Sequence, residues 1–315
     1  MTLMKTDDTG SKMVPPIVEK LEGILLPLTT PFRTDAESSV DTNALVANIE
    51  KLNQSGVHGY VMLGSTGERV HLNEGEYVQV IETARSVTPA RLSFIVGAGQ
   101  QSTSNTIAEV KKAAELGADA VLVITPYFYR SAITQDALVH FYNAVADAAP
   151  VPVLLYSMPA LTGIKIEPQT IAQLSEHPNI VGVKDSSNDD AGFAETRKLC
   201  PETFAVMTGN GTVLLDALKA GATGGILAVG CAVPDLCLEI YRAFRHGELE
   251  RCEQLQSKLT PLAAAVTTRF GIGGLKAALD LAGYVGGAVR APLLPPGEAS
   301  RAEIKDLLAS IVPGA

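Results

Sequence analysis

Eight short apolar runs recur along this chain, each followed by a longer stretch of helical periodicity, and this alternation restricts the possible folds more than any other feature. The runs fall at Gly23–Thr29, Gly59–Leu63, Leu92–Ala98, Ala120–Ile124, Pro152–Tyr156, Ile180–Lys184, Phe204–Thr208 and Gly224–Val229. They are rich in Val, Ile and Leu, as strands covered on both faces are. Helical patterns separate them at Asp41–Ser55, Asn73–Val87, Ser102–Leu116, Thr134–Ala149, Pro168–Glu176, Asp190–Leu199, Gly211–Ala220 and Pro234–His246. Asp41, Asn73, Ser102 and Thr134 are candidate N-caps, while LGAD (from Leu116) and AGAT (from Ala220) end helices on glycine. Repeated βα units imply a parallel sheet, and eight of them without a dinucleotide fingerprint favour a closed (β/α)8 TIM barrel over a doubly wound sheet. Beyond His246 the strands cease, and Glu248–Arg269, Gly273–Ala282 and Arg301–Ser310 read as helices. The expected organisation is an N-terminal extension over 1–20, an α/β barrel over 21–247 and a C-terminal helical region over 248–315.

Composition narrows the function classes. Hydrophobic residues make up 46% of 315, enough for a large core, and the net charge of −9 disfavours nucleic acid and anionic membranes as partners. No signal peptide and no membrane span are expected, since the first twenty residues lack a continuous apolar core and no later apolar run reaches about 18 residues. Cys200, Cys231, Cys237 and Cys252 form no C-x-x-C pair and read as reduced core residues, which suits the cytoplasm. His58, His71, His140, His177 and His246 are dispersed without metal-ligand spacing, so no metal is expected. GAGQQS (from Gly97) and GNGTVL (from Gly209) complete no phosphate-loop motif, and GSTGE (Gly64 to Glu68) is not a nucleophile elbow.

Three features carry chemistry. Lys184 ends the apolar run Ile180-Val181-Gly182-Val183, and the strand ends of a parallel barrel face its active site. A desolvated lysine there can attack a carbonyl, although a lysine that snorkels to solvent fits the same pattern. GSTGE follows the second run and brings Ser65, Thr66 and the amides of a glycine-bracketed turn to the same rim, as an anion receptor or as an ordinary polar loop. Tyr156 closes the fifth run, where a phenol can exchange protons with a neighbouring adduct or simply pack.

The segments GILLPLTTPF, GSTGE, TPYFYR, LLYSMPALTG, IVGVKDSS and GGILAV, in this order, resemble the dihydrodipicolinate synthase and N-acetylneuraminate lyase superfamily of pyruvate-dependent class I aldolases. The likeness runs from about Leu21 onward, and the tyrosine of Y-x-x-P-x-x-T-G stands 28 positions before the lysine, as that superfamily has it. The resemblance implies catalysis by Lys184 through a covalent imine and no other cofactor. It also implies Tyr156 as general acid and base, Ser65 as its proton relay, and Thr66, Ser186, Gly209 and Ile226 as substrate-binding positions. A homo-oligomer built as a dimer of dimers follows from the same likeness.

Departures from the synthase pattern point to a subfamily. Leu161 stands where the synthases have an arginine for the aldehyde's carboxylate, and Phe128 replaces a tyrosine whose hydroxyl crosses the subunit interface. Arg69, Glu74 and Tyr77 do not match the feedback lysine site. AAAVTTRFGIGGLKAALDLAGYVGG and RAPL look like 4-hydroxy-2-oxoglutarate aldolase, although asparagine is usual there at the position of Thr66. The expected reaction is retro-aldol cleavage of 4-hydroxy-2-oxoglutarate to pyruvate and glyoxylate, with Arg130 and hydroxyls as candidates for the distal carboxylate. The alternatives are dihydrodipicolinate synthesis, another aldolase or dehydratase of the superfamily, and a non-catalytic 2-oxo acid binding protein.

Overall fold

The computed structural model describes residue 17 and residues 20–311. The expected N-terminal extension therefore lies almost wholly outside the described residues. Eight strands, β1 (Gly23–Pro27), β2 (Gly59–Met62), β3 (Ser93–Ala98), β4 (Ala120–Ile124), β5 (Val153–Ser157), β6 (Ile180–Asp185), β7 (Ala205–Thr208) and β8 (Gly224–Ile226), close into a barrel in chain order. Every neighbouring pair is parallel, including β8 with β1.

The connecting helices are α1 (Thr42–Leu52), α2 (Glu74–Val87), α3 (Thr103–Glu115), α4 (Gln135–Ala148), the single turn α5 (Pro159–Thr162), α6 (Pro168–Leu174), α7 (Asp190–Leu199), α8 (Leu214–Lys219) and α9 (Pro234–Arg245). All four expected N-caps act, each side-chain oxygen accepting a backbone N–H in the first turn, and Asn73 completes a capping box with Glu76. Alternate strand residues serve two cores. Leu25, Val61, Ile95, Leu122, Leu154 and Met207 fill the barrel interior, while their neighbours pack outward under the helices.

Two elements differ from the sequence expectation in ways that shape the barrel mouth. The eighth strand stops at Ile226, because Ala228–Cys231 coils into a 3-10 turn. The helix expected over Glu248–Arg269 runs as α10 (Leu249–Ala264) and then widens to a π-helical segment, Ala265–Arg269. Pro261 inside α10 has no N–H to give the i−4 carbonyl, and the winding changes within the next turn. Two further helices, α11 (Gly271–Leu281) and α12 (Glu298–Ala309), join the same core through Leu275, Leu279, Ile304 and Leu308.

A bulge sets the face of β6. Ile180 pairs with Val153, but Gly182 pairs with Leu154, so one residue of β6 is extra. Val181 and Tyr156 pack in the interior cluster and Val183 in the outer one, so strict alternation from Val181 would turn Lys184 outward. The extra residue restores Lys184 to the inner face, directly beside Tyr156 in the register. Glycine is required at the bulge, since a Cβ on Gly182 would stand 2.6 Å from the Ala205 carbonyl oxygen.

Candidate active site

A cavity of about 510 Å³ opens at the carboxyl ends of the strands, and all seven site residues expected from the sequence line it. Lys184 comes from β6, Tyr156 from β5, Ser65 and Thr66 from the turn after β2, Ser186 and Gly209 from the ends of β6 and β7, and Ile226 from β8.

Lys184 is 4% exposed, and its Nζ lies 4.4 Å from the centroid of the Tyr156 ring. The Tyr156 hydroxyl is 3.0 Å from Ser65 Oγ, a pair in which either oxygen can donate. The amine thus lies over the phenol ring, whose hydroxyl pairs with the serine at the barrel mouth. Ser186 Oγ is buried and has no hydrogen-bond partner among the described residues, a cost that a bound ligand's oxygen would relieve. The opposing position must be glycine: a Cβ on Gly209 would lie 1.8 Å from Ser186 Oγ and 2.9 Å from Lys184 Cε.

The turn that carries Ser65 is strained at both ends. Leu63 and Glu68 adopt the left-handed conformation, with φ of 55° and 54°. Between them Ser65–Gly67 forms a 3-10 turn, closed by the Gly67 N–H donating to the Gly64 carbonyl at 3.0 Å. The amides of Ser65 and Thr66 precede that first bond and have no acceptor within the turn. Thr30 Oγ1 donates to the Gly67 carbonyl at 2.7 Å, and Gly97 permits close approach from β3, since a Cβ there would stand 2.3 Å from the Leu63 oxygen.

A buried ion network holds the turn from behind. Lys276 of α11 donates to Glu68 Oε1 (2.6 Å) and to the carbonyls of Thr30 (2.7 Å) and Ala288 (2.6 Å). Glu68 Oε2 takes the Arg290 N–H at 3.1 Å and the His71 ring Nδ1 at 3.1 Å. Arg290 clamps both carboxylate oxygens of Glu76, at 2.7 and 2.8 Å. Burial pulls the Lys276 amine below its ordinary value, and Glu68 opposes that pull. Asp185, next to Lys184 but facing outward, has its carboxyl raised by burial, partly offset by hydrogen bonds from Ser187.

Several expectations about the second substrate change. Arg130 lies over Gly163 and does not line the cavity, so it is withdrawn as a candidate for the distal carboxylate. Phe128 is 73% exposed and outside the cavity, whereas its neighbour Tyr127 lines it. Leu161 does stand at the mouth, on an outer wall shared with Met158, Val266, Ile272, Leu275 and Leu293. Arg69 is bound to Glu109, and the buried Tyr77 donates to the Gly97 carbonyl at 3.3 Å. The sequence reading left out Lys276, Glu68 and the role of His71. The signal for His71 was its place, three residues after GSTGE; for Lys276 it was a lysine inside an otherwise apolar helix. Among the described residues, no three His, Cys, Asp or Glu side chains group to hold a metal ion, and no helix is long and apolar enough to cross a membrane.

A closed (β/α)8 barrel with a buried lysine beside a tyrosine–serine pair at its carboxyl mouth defines a lyase of the class I aldolase type. The chain belongs to the dihydrodipicolinate synthetase family, whose model matches residues 20–311. The 4-hydroxy-tetrahydrodipicolinate synthase of Methanoculleus marisnigri is 35% identical over 291 residues, covering 91% of this chain and 98% of that protein. The protein of the same name from Acidiphilium cryptum is 36% identical over 283 residues, covering 90% and 96%. Dihydrodipicolinate synthase DapA-2 of Bacillus anthracis superposes with a TM-score of 0.88 at 29% identity, covering 93% of this chain and 99% of that one.

Proposed function

We propose that this chain runs pyruvate-dependent aldol chemistry through an imine on Lys184. The observation that carries the reading is the side-by-side pairing of Lys184 and Tyr156 on β6 and β5, with Ser65 Oγ 3.0 Å beyond the phenol. Lys184 Nζ attacks C2 of the 2-oxo acid and loss of water gives the imine. Its protonated nitrogen withdraws electrons, so C3 gives up a proton to the Tyr156 oxygen, directly or through Ser65, and becomes an enamine carbon. That carbon adds to an aldehyde, whose oxygen takes a proton from Tyr156, and Ser65 passes a proton to the phenol in turn. Water then releases the product from Lys184. In reverse, the same steps break the bond between C3 and C4 of a 4-hydroxy-2-oxo acid.

Thr66 and the turn amides hold the pyruvate carboxylate, Ser186 hydrogen-bonds the adduct, and the backbones at Gly209 and Ile226 close the pocket. The imine itself is the electron sink, so the reaction as proposed needs no metal and no added cofactor.

For the second substrate, the names of the relatives support the condensation that the sequence reading kept as its alternative, 4-hydroxy-tetrahydrodipicolinate formation from pyruvate and aspartate semialdehyde. Cleavage of 4-hydroxy-2-oxoglutarate is the second reading, kept because Leu161 stands at the mouth in place of the arginine expected of the synthases. A multimer is proposed on the exposed Phe128 and Tyr129, which stack edge to face on the surface. Sedimentation would measure its size.

The test is borohydride with pyruvate, which should leave a reduced three-carbon adduct on Lys184, located by peptide mass. Folded protein without the adduct would overturn the imine. Parallel assays of condensation with aspartate semialdehyde and of pyruvate release from 4-hydroxy-2-oxoglutarate decide between the two substrates.

A further inference from the structure

The cavity is far larger than a three-carbon acid requires, and its polar groups sort into two sets. Around the barrel axis stand Lys184, Tyr156, Ser65, Thr66 and Ser186, which the imine chemistry uses. Toward the outer wall the side chains are mainly apolar, and most of the polar ones are already committed. Arg69 gives Nε and one Nη to Glu109 and the other Nη to the Leu72 carbonyl, with its guanidinium stacked on Tyr77. Glu68 is shared among Lys276, His71 and the Arg290 amide. Thr162 and Thr267 bond to backbone carbonyls.

His71 is different. Its Nδ1 sits 3.1 Å from Glu68 Oε2, while Nε2 has no hydrogen-bond partner among the described residues. The imidazole lines the cavity in the 3-10 turn Arg69–His71, which follows directly on the turn carrying Ser65 and Thr66. A carboxylate behind one ring nitrogen fixes the ring's orientation. The carboxylate is itself anchored: the Glu68 side chain is 1% exposed, with Lys276 on its far oxygen. The His71 backbone is pinned as well, its carbonyl accepting from Arg290 at 2.8 Å. The result is a rigidly supported ring, with one unpartnered nitrogen, in the lining of a space that must hold a second, polar reactant.

We infer that His71, through its unpartnered Nε2, binds the distal carboxylate of the second substrate, taking the part that an arginine at position 161 would otherwise play. The inference rests on the imine reading and deepens it by naming the substrate class: an aldehyde, or the 4-hydroxy-2-oxo acid made from it, that bears a carboxylate remote from the reacting carbonyl. His71 is a specificity-determining residue on this account, and the imine forms without it.

The test does not require the natural aldehyde to be known. Lys184 should form imines both with pyruvate and with 2-oxoglutarate, a stable 2-oxo acid carrying a distal carboxylate. Borohydride trapping is titrated against each acid in the wild type and in His71→Leu, and the half-saturating concentrations are compared. The expected result is a rise of about tenfold or more for 2-oxoglutarate and less than twofold for pyruvate, the size of one lost charge-assisted hydrogen bond. Retained pyruvate trapping also reports that the variant is folded with its lysine in place. His71→Asn is the second variant should leucine unfold the chain, because its shorter side chain keeps a polar group against Glu68 but does not reach the cavity. Equal shifts for the two acids, no shift for either, or failure of the wild type to trap 2-oxoglutarate while trapping pyruvate would each overturn the inference. Failure of the wild type to trap pyruvate would instead overturn the imine reading beneath it.

Discussion

Replacing Lys276 with methionine removes one cation from a place where almost no water can substitute for it. The Lys276 side chain is 2% exposed, and its ammonium spends three contacts on Glu68, the Thr30 carbonyl and the Ala288 carbonyl. Methionine has similar length and no branch, so it fills the channel beside Phe32 without a cavity. What remains is a carboxylate at 1% exposure with only the His71 ring and one backbone amide to hold it. Stranding one partner of a buried pair costs about 3–5 kcal/mol, and the two orphaned carbonyls overlap with that figure rather than add to it. The assay is urea denaturation at neutral pH followed by circular dichroism, with the midpoint and slope compared between variants. Lys276→Met combined with Glu68→Gln should be more stable than Lys276→Met alone, because the second change removes the stranded charge. A loss below about 1 kcal/mol in the single variant, or a double variant no better than the single, would refute the reasoning. The strained Ser65–Glu68 turn is fastened through this pair, so the surviving folded fraction should also trap pyruvate more slowly.

Gly209→Ala should abolish pyruvate trapping while the fold persists, because the new methyl occupies the space of Ser186 Oγ and crowds Lys184 Cε; trapping at the wild-type level would show that the site relaxes freely. Ser65→Ala should lower kcat by about a hundredfold or more while leaving the pyruvate adduct detectable, since the relay serves turnover rather than imine formation. Rates within a factor of two of the wild type would remove Ser65 from the relay. Gly182→Ala should disturb the β6 bulge by clashing with the Ala205 carbonyl, and the loss is expected in both stability and trapping. Glu76→Gln tests electrostatics through pH. Arg290 holds the Glu76 carboxyl below its ordinary value of 4.5, so the pair's stabilisation is full above that value and disappears as pH falls through the lower folded one. The variant should be less stable by about 1–3 kcal/mol at pH 7. The two proteins should converge in acid, and a gap that persists to low pH would refute the assignment.

The barrel and the heart of its site were legible because both follow from local chemistry. Strands covered on both faces must be apolar throughout, and helices that cross between them must be amphipathic, so eight repeats announce closure in the sequence itself. Lys184, Tyr156 and the GSTGE turn could be found because strand ends in such a barrel face one mouth, whatever the loops do. The side of β6 on which Lys184 emerges was a different matter. Alternation counted from Val181 turns the lysine outward, and only the bulge opposite β5, which depends on backbone contact between distant segments, returns it beside Tyr156.

The outer wall of the cavity lay still further from sequence reasoning. Phe128 and Arg130 share the TPYFYR motif with Tyr127, yet they leave the cavity, while Val266 enters it from the π-helical segment, Ile272 and Leu275 from α11, and Leu293 from the loop that follows. Lys276 and Glu68 meet across 208 positions of chain, and no periodicity relates them. The amino-acid order by itself determined the barrel and set Lys184 at a strand end, because hydrophobic periodicity and strand-end geometry are properties of short segments, while the role expected of that lysine came from the resemblance of its motifs to a known superfamily. Tertiary structure alone decided the lysine's face, the anchoring of the Ser65 turn and the place of His71 in the cavity lining, because each is fixed by groups that meet only once the chain has closed on itself.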